Sequence, residues 1–470
     1  MKVMHRVGLV VAAGGALVGL GGEAWAQAAK PEAKAEAVAV AEAKDPVRYG
    51  FDLRLRQEAF DEIPIRPGGV TRGGRNNYYR IRPRVWGEVD LLDNVLFRAR
   101  IVNEFREWTY PDMSAAAQRS NYDFADEYVF DHLYLDIKDL LDKRLDIRIG
   151  RQDLIYGTGK VVLEGNPKDG SRTIYFNAVK AVWKGIENTT IDAVGIYNES
   201  LDDLAIHDAD RDLTGFSKYN DDMTESGAIL YLKNKSLPEL PFEVYAMYKN
   251  ESDWTRKPTA TTSVDVAELD VGTLGVRLMP VFGAGLSGNL EVAYQLGSRG
   301  SVDTSGLMVD GLVAYAFPDA PEAKPTVDVG VYYLSGDDPS SKGDDEGWNP
   351  LWARYPQYSE LYVYAWDGEA AGRWSNLMMP KASFSVSPAK FVKTSAMVGY
   401  MLADEDDGPG TGKDRGMLYV AKGEFNLGGG YLAKRDKLTG HLWLEVLDPG
   451  DYYAVNDTSY FARWEILYTF

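Results

Sequence analysis

Apolar and charged residues alternate with a period of two in many short segments of this 470-residue chain. In residues 51–58 the odd positions are mostly apolar and the even positions mostly charged, and residues 81–91 repeat the pattern. It recurs in residues 97–105, 145–149, 191–197, 242–249 and 286–296. Successive side chains of a β-strand point to opposite faces, so each segment is predicted to be a strand with one apolar and one charged face. The 47 glycines and 12% aromatic residues also favour an all-β chain.

The connections between these strands alternate between tight and long. Residues 91–94 and 139–143 are tight, whereas residues 110–123 and 155–171 are long. A soluble sheet would bury its apolar face against a second layer, but a membrane barrel turns that face to lipid and joins its strands by short periplasmic turns and long extracellular loops. We therefore predict an all-β, transmembrane antiparallel β-barrel of about 18 strands. The final residues support this, since Trp464, Ile466, Tyr468 and Phe470 share one face.

The predicted strands, with boundaries uncertain by about 2–4 residues, are 49–60, 77–91, 94–108, 125–138, 143–153, 172–185, 188–198, 222–234, 241–251, 266–280, 284–298, 304–317, 325–336, 373–387, 389–402, 416–433, 438–448 and 459–470. An even number lets an antiparallel sheet close with both chain ends on the same rim. A barrel of this size is wide enough for an aqueous channel unless loops fill it.

The N-terminal residues indicate export from the cytoplasm. A short basic head precedes the apolar residues 7–20, and Ala24-Trp25-Ala26 supplies the small residues that a signal peptidase reads. We predict a signal peptide over residues 1–26, a disordered periplasmic leader rich in Ala, Glu and Lys over residues 27–48, and the barrel over residues 49–470. The predicted location is the bacterial outer membrane. A soluble secreted β-protein is the alternative, and solubility without detergent would favour it.

Arginine dominates the first predicted strands of an otherwise acidic chain. The formal net charge is -19, yet residues 45–137 contain 13 arginines and no lysine. The guanidinium group is a planar fork that matches carboxylates and stays charged at any working pH. The alternation places eight of these arginines on lumen faces: Arg54, Arg56, Arg80, Arg82, Arg84, Arg98, Arg100 and Arg106. Either these side chains form an anion pathway, or Glu58, Glu88, Asp90 and Glu104 on the same faces simply neutralise them.

The sequence offers little for catalysis or for a metal. There is no cysteine, and outside the signal peptide the histidines are His132, His207 and His441. We interpret His132 as a hydrogen-bonded lumen residue, because no serine or carboxylate motif marks it as catalytic. No cofactor and no enzymatic activity are predicted. A weak calcium candidate in an extracellular loop consists of Asp208, Asp210 and Asp212, although its glycine spacing and distal glutamate do not fit a calcium loop.

Several stretches together resemble the alginate-export family of outer-membrane porins. They are RLRQEAFD (54–61), RIRPRVWGEVDLLDNVLFRARIVNEFREW (80–108), IRIGRQDLIYGTGKVVLEGNPKDGSRTIYF (147–176) and the closing EVLDPGDYY and FARWEILYTF. The resemblance implies an 18-stranded barrel whose arginine-rich lumen passes a polyuronate. By this resemblance, six residues occupy the motif positions of the family: Arg82, Arg84, Arg106, Arg151, Asp153 and Arg172. Arg148 and Arg463 lie in the same stretches and complete the predicted pathway. The chain departs from the family in its leader and in an Asp-rich loop at residues 337–346.

The sequence thus predicts passive export of an anionic, alginate-like exopolysaccharide, with a general or anion-selective uptake porin as the alternative. A barrel enzyme is a third and weaker possibility. The partners expected are the anionic polysaccharide, outer-membrane lipid and lipopolysaccharide, the barrel-assembly machinery and a periplasmic export scaffold. No nucleic-acid partner is expected, and the protein is predicted to be a monomer.

Overall fold

A computed structural model gives the architecture. It describes residues 45–62, 75–110, 127–164, 175–200, 204–207, 223–259, 262–353, 358–361, 375–408, 410–454 and 457–470. The predicted signal peptide and most of the leader, Arg172 and the three aspartates of the calcium candidate lie outside the described residues.

Eighteen antiparallel strands of the described chain form one closed barrel. In chain order they are β1 (Val47–Asp61), β2 (Asn76–Leu92), β3 (Val95–Val102, continued by Phe105–Tyr110), β4 (Glu127–Asp139), β5 (Leu145–Gln152), β6 (Phe176–Ile186), β7 (Thr189–Asn198), β8 (Glu225–Asn234), β9 (Phe242–Glu251), β10 (Leu269–Leu278), β11 (Leu286–Arg299), β12 (Val302–Ala316), β13 (Thr326–Leu334), β14 (Leu377–Ala389), β15 (Val392–Leu402), β16 (Asp414–Asn426), β17 (Lys437–Asp448) and β18 (Ser459–Thr469). Each strand pairs with the next, and β1 pairs with β18 to close the barrel. Closure leaves no unpaired sheet edge among these strands. In the described residues, no helix is long and apolar enough to span a membrane.

The two faces of the barrel are inverted relative to a soluble protein. Outward-facing apolar residues are exposed, for example Val85 at 59% and Leu274 at 68%, whereas the inward-facing Arg54 and Arg82 are 1% and 2% exposed. This is the distribution expected when the outer face meets lipid and the inner face is polar. The predicted architecture, strand number and alternation are confirmed.

Connection lengths differ between the two rims. At the rim that carries both chain ends, β2 joins β3 through two residues and β6 joins β7 through two residues. The opposite rim carries the long connections, with the exception of residues 300–301 between β11 and β12. A helical turn, Leu140–Lys143, forms the tight connection between β4 and β5. The short and long rims match the predicted periplasmic turns and extracellular loops.

Two strands differ from the prediction by more than the stated uncertainty of the boundaries. Strand β3 is broken at residues 103–104, between its two segments. Strand β16 ends at Asn426 rather than at residue 433, because the Asp436 carboxylate accepts backbone N–H groups of the connection that follows. Gly428 and Gly430 take φ of 71° and 92° there, which is the left-handed region that favours glycine. A compact turn thus replaces the end of the predicted strand.

Two connections fold inward and fill part of the lumen. The first forms a hairpin, Leu154–Tyr156 paired with Val162–Glu164, directly after β5. The second, between β13 and β14, contributes Trp352–Ala353, which pairs in parallel with Val162 and Leu163. The two connections therefore share a three-stranded sheet that is separate from the barrel wall. We call residues 348–353 together with 358–361 the inner segment.

Candidate functional site: the barrel lumen

The lumen faces of β1 to β5 and β18 carry a dense set of arginines, which we call the arginine wall. Its members are Arg54, Arg56, Arg80, Arg82, Arg84, Arg98, Arg100, Arg106, Arg148 and Arg463. The register of β1 on β2 sets Arg54 directly opposite Arg82, and Arg56 opposite Arg80. Like charges at directly opposed positions repel, so these pairs require carboxylates nearby.

Glu104, Glu58 and Glu465 supply that compensation at the centre of the wall. Glu104 lies at the break in β3, and its carboxylate is 2.9 Å from Arg54 Nη2 and 3.1 Å from Arg80 Nε. Glu58 Oε1 is 3.0 Å from Arg80 Nη1. Glu465 Oε2 is 2.5 Å from Arg56 Nη2 across the seam that closes the barrel. Of the carboxylates named in the sequence as possible neutralising partners, Glu58 and Glu104 contact arginines of the wall here, and Glu88 contacts Arg98. Asp90 contacts Arg48, outside the wall.

Arginines nevertheless outnumber the strand carboxylates around them. Asp52 lies 2.8 Å from Arg84 Nε but 3.7 Å from Arg82 Nη2, and Arg106 Nε is 4.0 Å from Glu104. In the described region, seven arginines (Arg54, Arg56, Arg80, Arg82, Arg84, Arg106 and Arg463) share the four carboxylates Asp52, Glu58, Glu104 and Glu465 of β1, β3 and β18. The strand faces therefore contribute more arginines than carboxylates to this part of the lumen, and a loop carboxylate, Glu360, also contacts Arg463.

His132 links the next arginines of the wall. Arg98 Nε donates to His132 Nδ1 at 3.1 Å, and His132 Nε2 lies 2.8 Å from Asp153 Oδ2. Since an arginine can only donate, Nδ1 accepts and the proton of the neutral ring belongs on Nε2. Arg100 makes a bidentate pair with Asp131 at 2.8 and 2.7 Å and also lies 3.5 Å from Asp153. The geometry supports the interpretation of His132 as a hydrogen-bonded lumen residue.

Arg148 of β5 extends the wall. Arg148 Nε is 2.6 Å from Asp136 Oδ1, and its guanidinium lies 4.0 Å from the ring centre of Tyr134. Arg151 pairs in register with Leu133 and Asn177, on the strand face that also carries Ile149, and it donates to the Asn177 side chain at 2.9 Å. The described structure thus groups the predicted pathway residues except Arg151, which lies on the opposite strand face, and Arg172, which lies outside the described residues.

A tyrosine cluster that the sequence did not reveal faces the lumen from β7 to β11. The ring of Tyr156, in the inner hairpin, stacks on Tyr231 at 4.6 Å, and Tyr231 stacks on Tyr245 at 5.3 Å. The three hydroxyls donate to carboxylates as follows: Tyr156 to Asp192 at 3.0 Å, Tyr231 to Glu243 at 2.7 Å, and Tyr245 to Glu291 at 3.0 Å. Burial raises the pKa of the Tyr156 hydroxyl, so it remains a donor. The cluster fixes the hairpin to this side of the barrel.

The inner segment is anchored on β8, β9, β11 and β12. The Trp352 indole is fully buried over Gly227, where an added Cβ would come within 2.5 Å of the ring. Lys249 donates to the carbonyl of Leu351 at 2.9 Å. Asn349 and Gln295 exchange two hydrogen bonds at 2.7 and 2.9 Å, and Tyr358 donates to Asp310 at 3.1 Å. In the sequence, Gly227 is the one local indication that a bulky side chain packs against β8, and it does not identify Trp352 as that side chain.

The far end of the inner segment reaches β17 and the arginine wall. Glu445 accepts hydrogen bonds from the Ser359 hydroxyl at 2.5 Å and from the backbone N–H groups of Glu360 and Leu361 at 2.8 and 3.1 Å. Glu360 in turn places its carboxylate 2.5 Å from Arg463 Nη2. The inner segment therefore crosses from the tyrosine side of the lumen to the arginine wall.

A closed eighteen-stranded antiparallel barrel with a charged lumen and inward-folded loops defines a porin-like channel of the outer-membrane type. The sequence profile described as alginate export matches residues 45–424. The chain therefore belongs to the alginate export family, which confirms the resemblance seen in the sequence. No curated protein matches the sequence significantly.

Solved porin structures share the fold. OccK5 (OpdH) of Pseudomonas aeruginosa superposes with a TM-score of 0.57 at 12% identity, covering 90% of this chain and 97% of that one. A BenF-like porin of Pseudomonas fluorescens Pf-5 gives 0.53 at 13% identity, with 90% and 98% covered. OccAB1 of Acinetobacter baumannii gives 0.53 at 12% identity, with 92% and 98% covered. At these identities the similarity establishes the barrel architecture.

Proposed function

We propose that the barrel passes an anionic, uronate-type polysaccharide across the outer membrane, along the arginine wall. The observation that carries the proposal is the concentration of arginines on the lumen faces of β1 to β3 and β18, where several guanidinium groups surround one carboxylate, as Arg54 and Arg80 surround Glu104. Guanidinium groups pair with carboxylates in fixed geometry, and each uronate residue of such a polymer carries one carboxylate. Rings of arginine or lysine are the usual basis of anion selectivity in pores.

Passage requires contacts that form and break easily. Most arginines of the wall already share strand carboxylates, so a sugar carboxylate competes for them and binds each one weakly. Several weak sites in series conduct better than one tight site, because a bound group must also leave. The hairpin and residues 348–353 of the inner segment occupy the opposite side of the lumen through their anchors on β7 to β12, whereas residues 359–361 reach β17 and Arg463. The proposed path therefore runs between the hairpin and the arginine wall, beside residues 359–361.

Export is the direction we propose, because the family to which the chain belongs is described as alginate export. A passive channel does not itself drive the polymer, so synthesis and a periplasmic scaffold would supply the direction. Uptake of small anions or oligosaccharides is the second candidate. It is supported by the fold shared with the BenF-like porin and the Occ proteins. The family and fold are those of channels rather than of enzymes.

The remaining partners follow from the surfaces of the barrel. The exposed apolar outer face is suited to lipid, and the rim with long loops would meet lipopolysaccharide. Insertion of such a barrel would require the assembly machinery of the outer membrane. We propose a monomer without a resident cofactor. In the described residues no group of three or more acidic or histidine side chains is arranged to hold a metal ion.

Charge reversal in the arginine wall tests the proposal. In planar bilayers under a salt gradient, the wild-type channel should show an anion-selective reversal potential. Arg82→Glu, Arg84→Glu and Arg100→Glu together should invert its sign, because they replace three positive charges of the lumen by three negative ones. Glutamine at the same positions should abolish the preference with less risk to folding.

The matched control makes the same change of net charge outside the lumen. Lys143, Lys235 and Lys390 are exposed in connections at the rim that carries the chain ends. Reversing these three lysines should leave selectivity nearly unchanged, because charges more than about 10 Å from the path are screened by salt. Unchanged selectivity in both arginine variants would refute the proposal. Equal shifts in the arginine and lysine variants would show that net charge rather than the arginine wall sets selectivity.

A further inference from the structure

We propose that Glu360 acts as an internal competitor at a carboxylate subsite centred on Arg463, and that a uronate carboxylate of the polymer displaces it during passage. This inference rests on the proposed function. It assigns one member of the arginine wall a defined ligand position, and it gives the inner segment a role in setting how tightly the polymer is held.

The contact between Glu360 and Arg463 is a pair of buried, opposite charges. Arg463 Nη2 lies 2.5 Å from Glu360 Oε1, and the two side chains are 1% and 7% exposed. The same Nη2 is 2.6 Å from Glu58 Oε1 on β1. Arg463 therefore holds one carboxylate from the barrel wall and a second from a loop. The second is the position that a ligand carboxylate can take without disturbing the wall.

The backbone around Glu360 is fixed by contacts that do not involve its side chain. Glu445 accepts both the Glu360 and Leu361 N–H groups and the Ser359 hydroxyl. Two residues earlier in the chain, Tyr358 donates to Asp310. Burial raises the pKa of the Tyr358 hydroxyl, which keeps this donor protonated. Glu360 can therefore leave Arg463 by rotation of its side chain while the chain around it stays in place.

Exchange of one carboxylate for another preserves the charge balance at Arg463. Removing a partner from a buried ion pair is costly because it leaves an uncompensated charge, but replacing that partner by the same chemical group is not. A uronate carboxylate has the charge and the planar geometry of the Glu360 carboxylate. The loop carboxylate thus weakens each encounter with the polymer and prevents it from being trapped.

The competition predicts a measurable gain in affinity when Glu360 loses its charge. If Glu360 occupies Arg463 for nine-tenths of the time, the apparent dissociation constant for a competing carboxylate is about tenfold higher than at the free site. In planar bilayers, current block by mannuronate hexamer should therefore occur at a concentration about tenfold lower in Glu360→Gln than in the wild-type channel. Glu360→Asp keeps the charge but shortens the side chain, and it should give an intermediate value.

A control separates this effect from the simple loss of a negative charge in the lumen. Glu243 also faces the lumen and is 3.1 Å from an arginine, Arg277 of β10, but it belongs to the opposite side of the barrel. Glu243→Gln should change hexamer block by less than about twofold if local competition is responsible. In the background of Arg463→Gln, adding Glu360→Gln should produce no further gain.

The possible outcomes are distinct. Unchanged or weaker block in both Glu360 variants, in channels with normal salt conductance, would overturn the inference. Equal gains in Glu360→Gln and Glu243→Gln would overturn it as well, because they would indicate a general electrostatic effect. Failure of the proposed function would differ from both. In that case the wild-type channel would show neither anion preference nor block by the hexamer.

Discussion

Trp352→Ala provides a direct test of whether the inner segment narrows the channel. The indole is fully buried in the lumen over Gly227 of β8. It packs edge-on against Phe176, with ring centres 6.1 Å apart, and Lys249 Nζ lies 5.6 Å from its ring centre. The substitution therefore removes the main apolar anchor of the segment on this side of the barrel.

The expected loss of stability in Trp352→Ala follows from how the indole is buried. Truncation of a buried tryptophan to alanine typically costs about 3–5 kcal/mol. The Trp352 Nε1–H is buried without a hydrogen-bond partner in the described structure, and its removal recovers about 1–2 kcal/mol of desolvation cost. The net loss is about 1–4 kcal/mol, which raises the population of displaced inner segment by about 5- to 900-fold. The hydrogen bonds of Asn349 and Glu445 remain, so displacement is partial.

Single-channel recording measures the effect. Trp352→Ala should increase the mean conductance and add current fluctuations, because the segment leaves its position for part of the time. Trp464→Ala is the control, since Trp464 lies on the outer face of β18 and donates to Gln57 at 2.8 Å. It should lower barrel stability without altering conductance. Wild-type conductance and noise in a folded Trp352→Ala channel would refute the assignment of Trp352 as the anchor.

Two further predictions concern connections outside the strands. Burial, followed by the neighbouring Asp345, raises the pKa of Asp337 from 3.8 to about 6. The protonated form of Asp337 thus stabilises the long loop, and this contribution is fully present below pH 3.8. It amounts to on the order of 1 kcal/mol after solvent screening and is lost as the pH rises through about 6. Asp337→Asn should flatten the change in melting temperature between pH 4.5 and 7.5, and an unaltered slope would contradict the assignment. Burial raises the pKa of Asp436, but hydrogen bonds from the backbone N–H groups of Leu432 and Ala433 outweigh burial and hold the pKa below the ordinary 3.8. The ionised carboxylate therefore stabilises the turn above pH 3.8, and this stabilisation is lost as the pH falls. Asp436→Asn should lower the melting temperature at pH 7 with no change in conductance, and equal melting temperatures would argue against the assignment.

Much of the barrel could be predicted from the sequence because its signal is local. A strand with one lipid face and one lumen face must alternate with a period of two, so residues 51–58 and 81–91 reveal both the strands and the direction of their arginines. Strand β3 was predicted as continuous, since nothing local marks the break at residues 103–104. That break is what brings Glu104 between Arg54 and Arg80.

The contents of the lumen could not be predicted because their contacts are distant in sequence. Lys160 of the hairpin is 2.7 Å from Asp310, which lies 150 residues further along the chain. Lys249 meets Leu351 across 102 residues. The glycines and charges of these loops are equally compatible with a solvated surface. Whether such a loop folds into the lumen or stays at the surface depends on partner residues on several distant strands. No single segment of the sequence contains this information.

The arginine wall extends across the seam where the first strand meets the last. Arg56 of β1 and Glu465 of β18 are 409 residues apart in the chain, and Arg463 and Glu58 cross the same seam. An assembling barrel does not form these two cross-seam ion pairs until the last strand arrives. Closure therefore adds electrostatic contacts at the final step, in addition to the backbone hydrogen bonds. A chain lacking β18 would keep an open sheet edge and would lose both pairs.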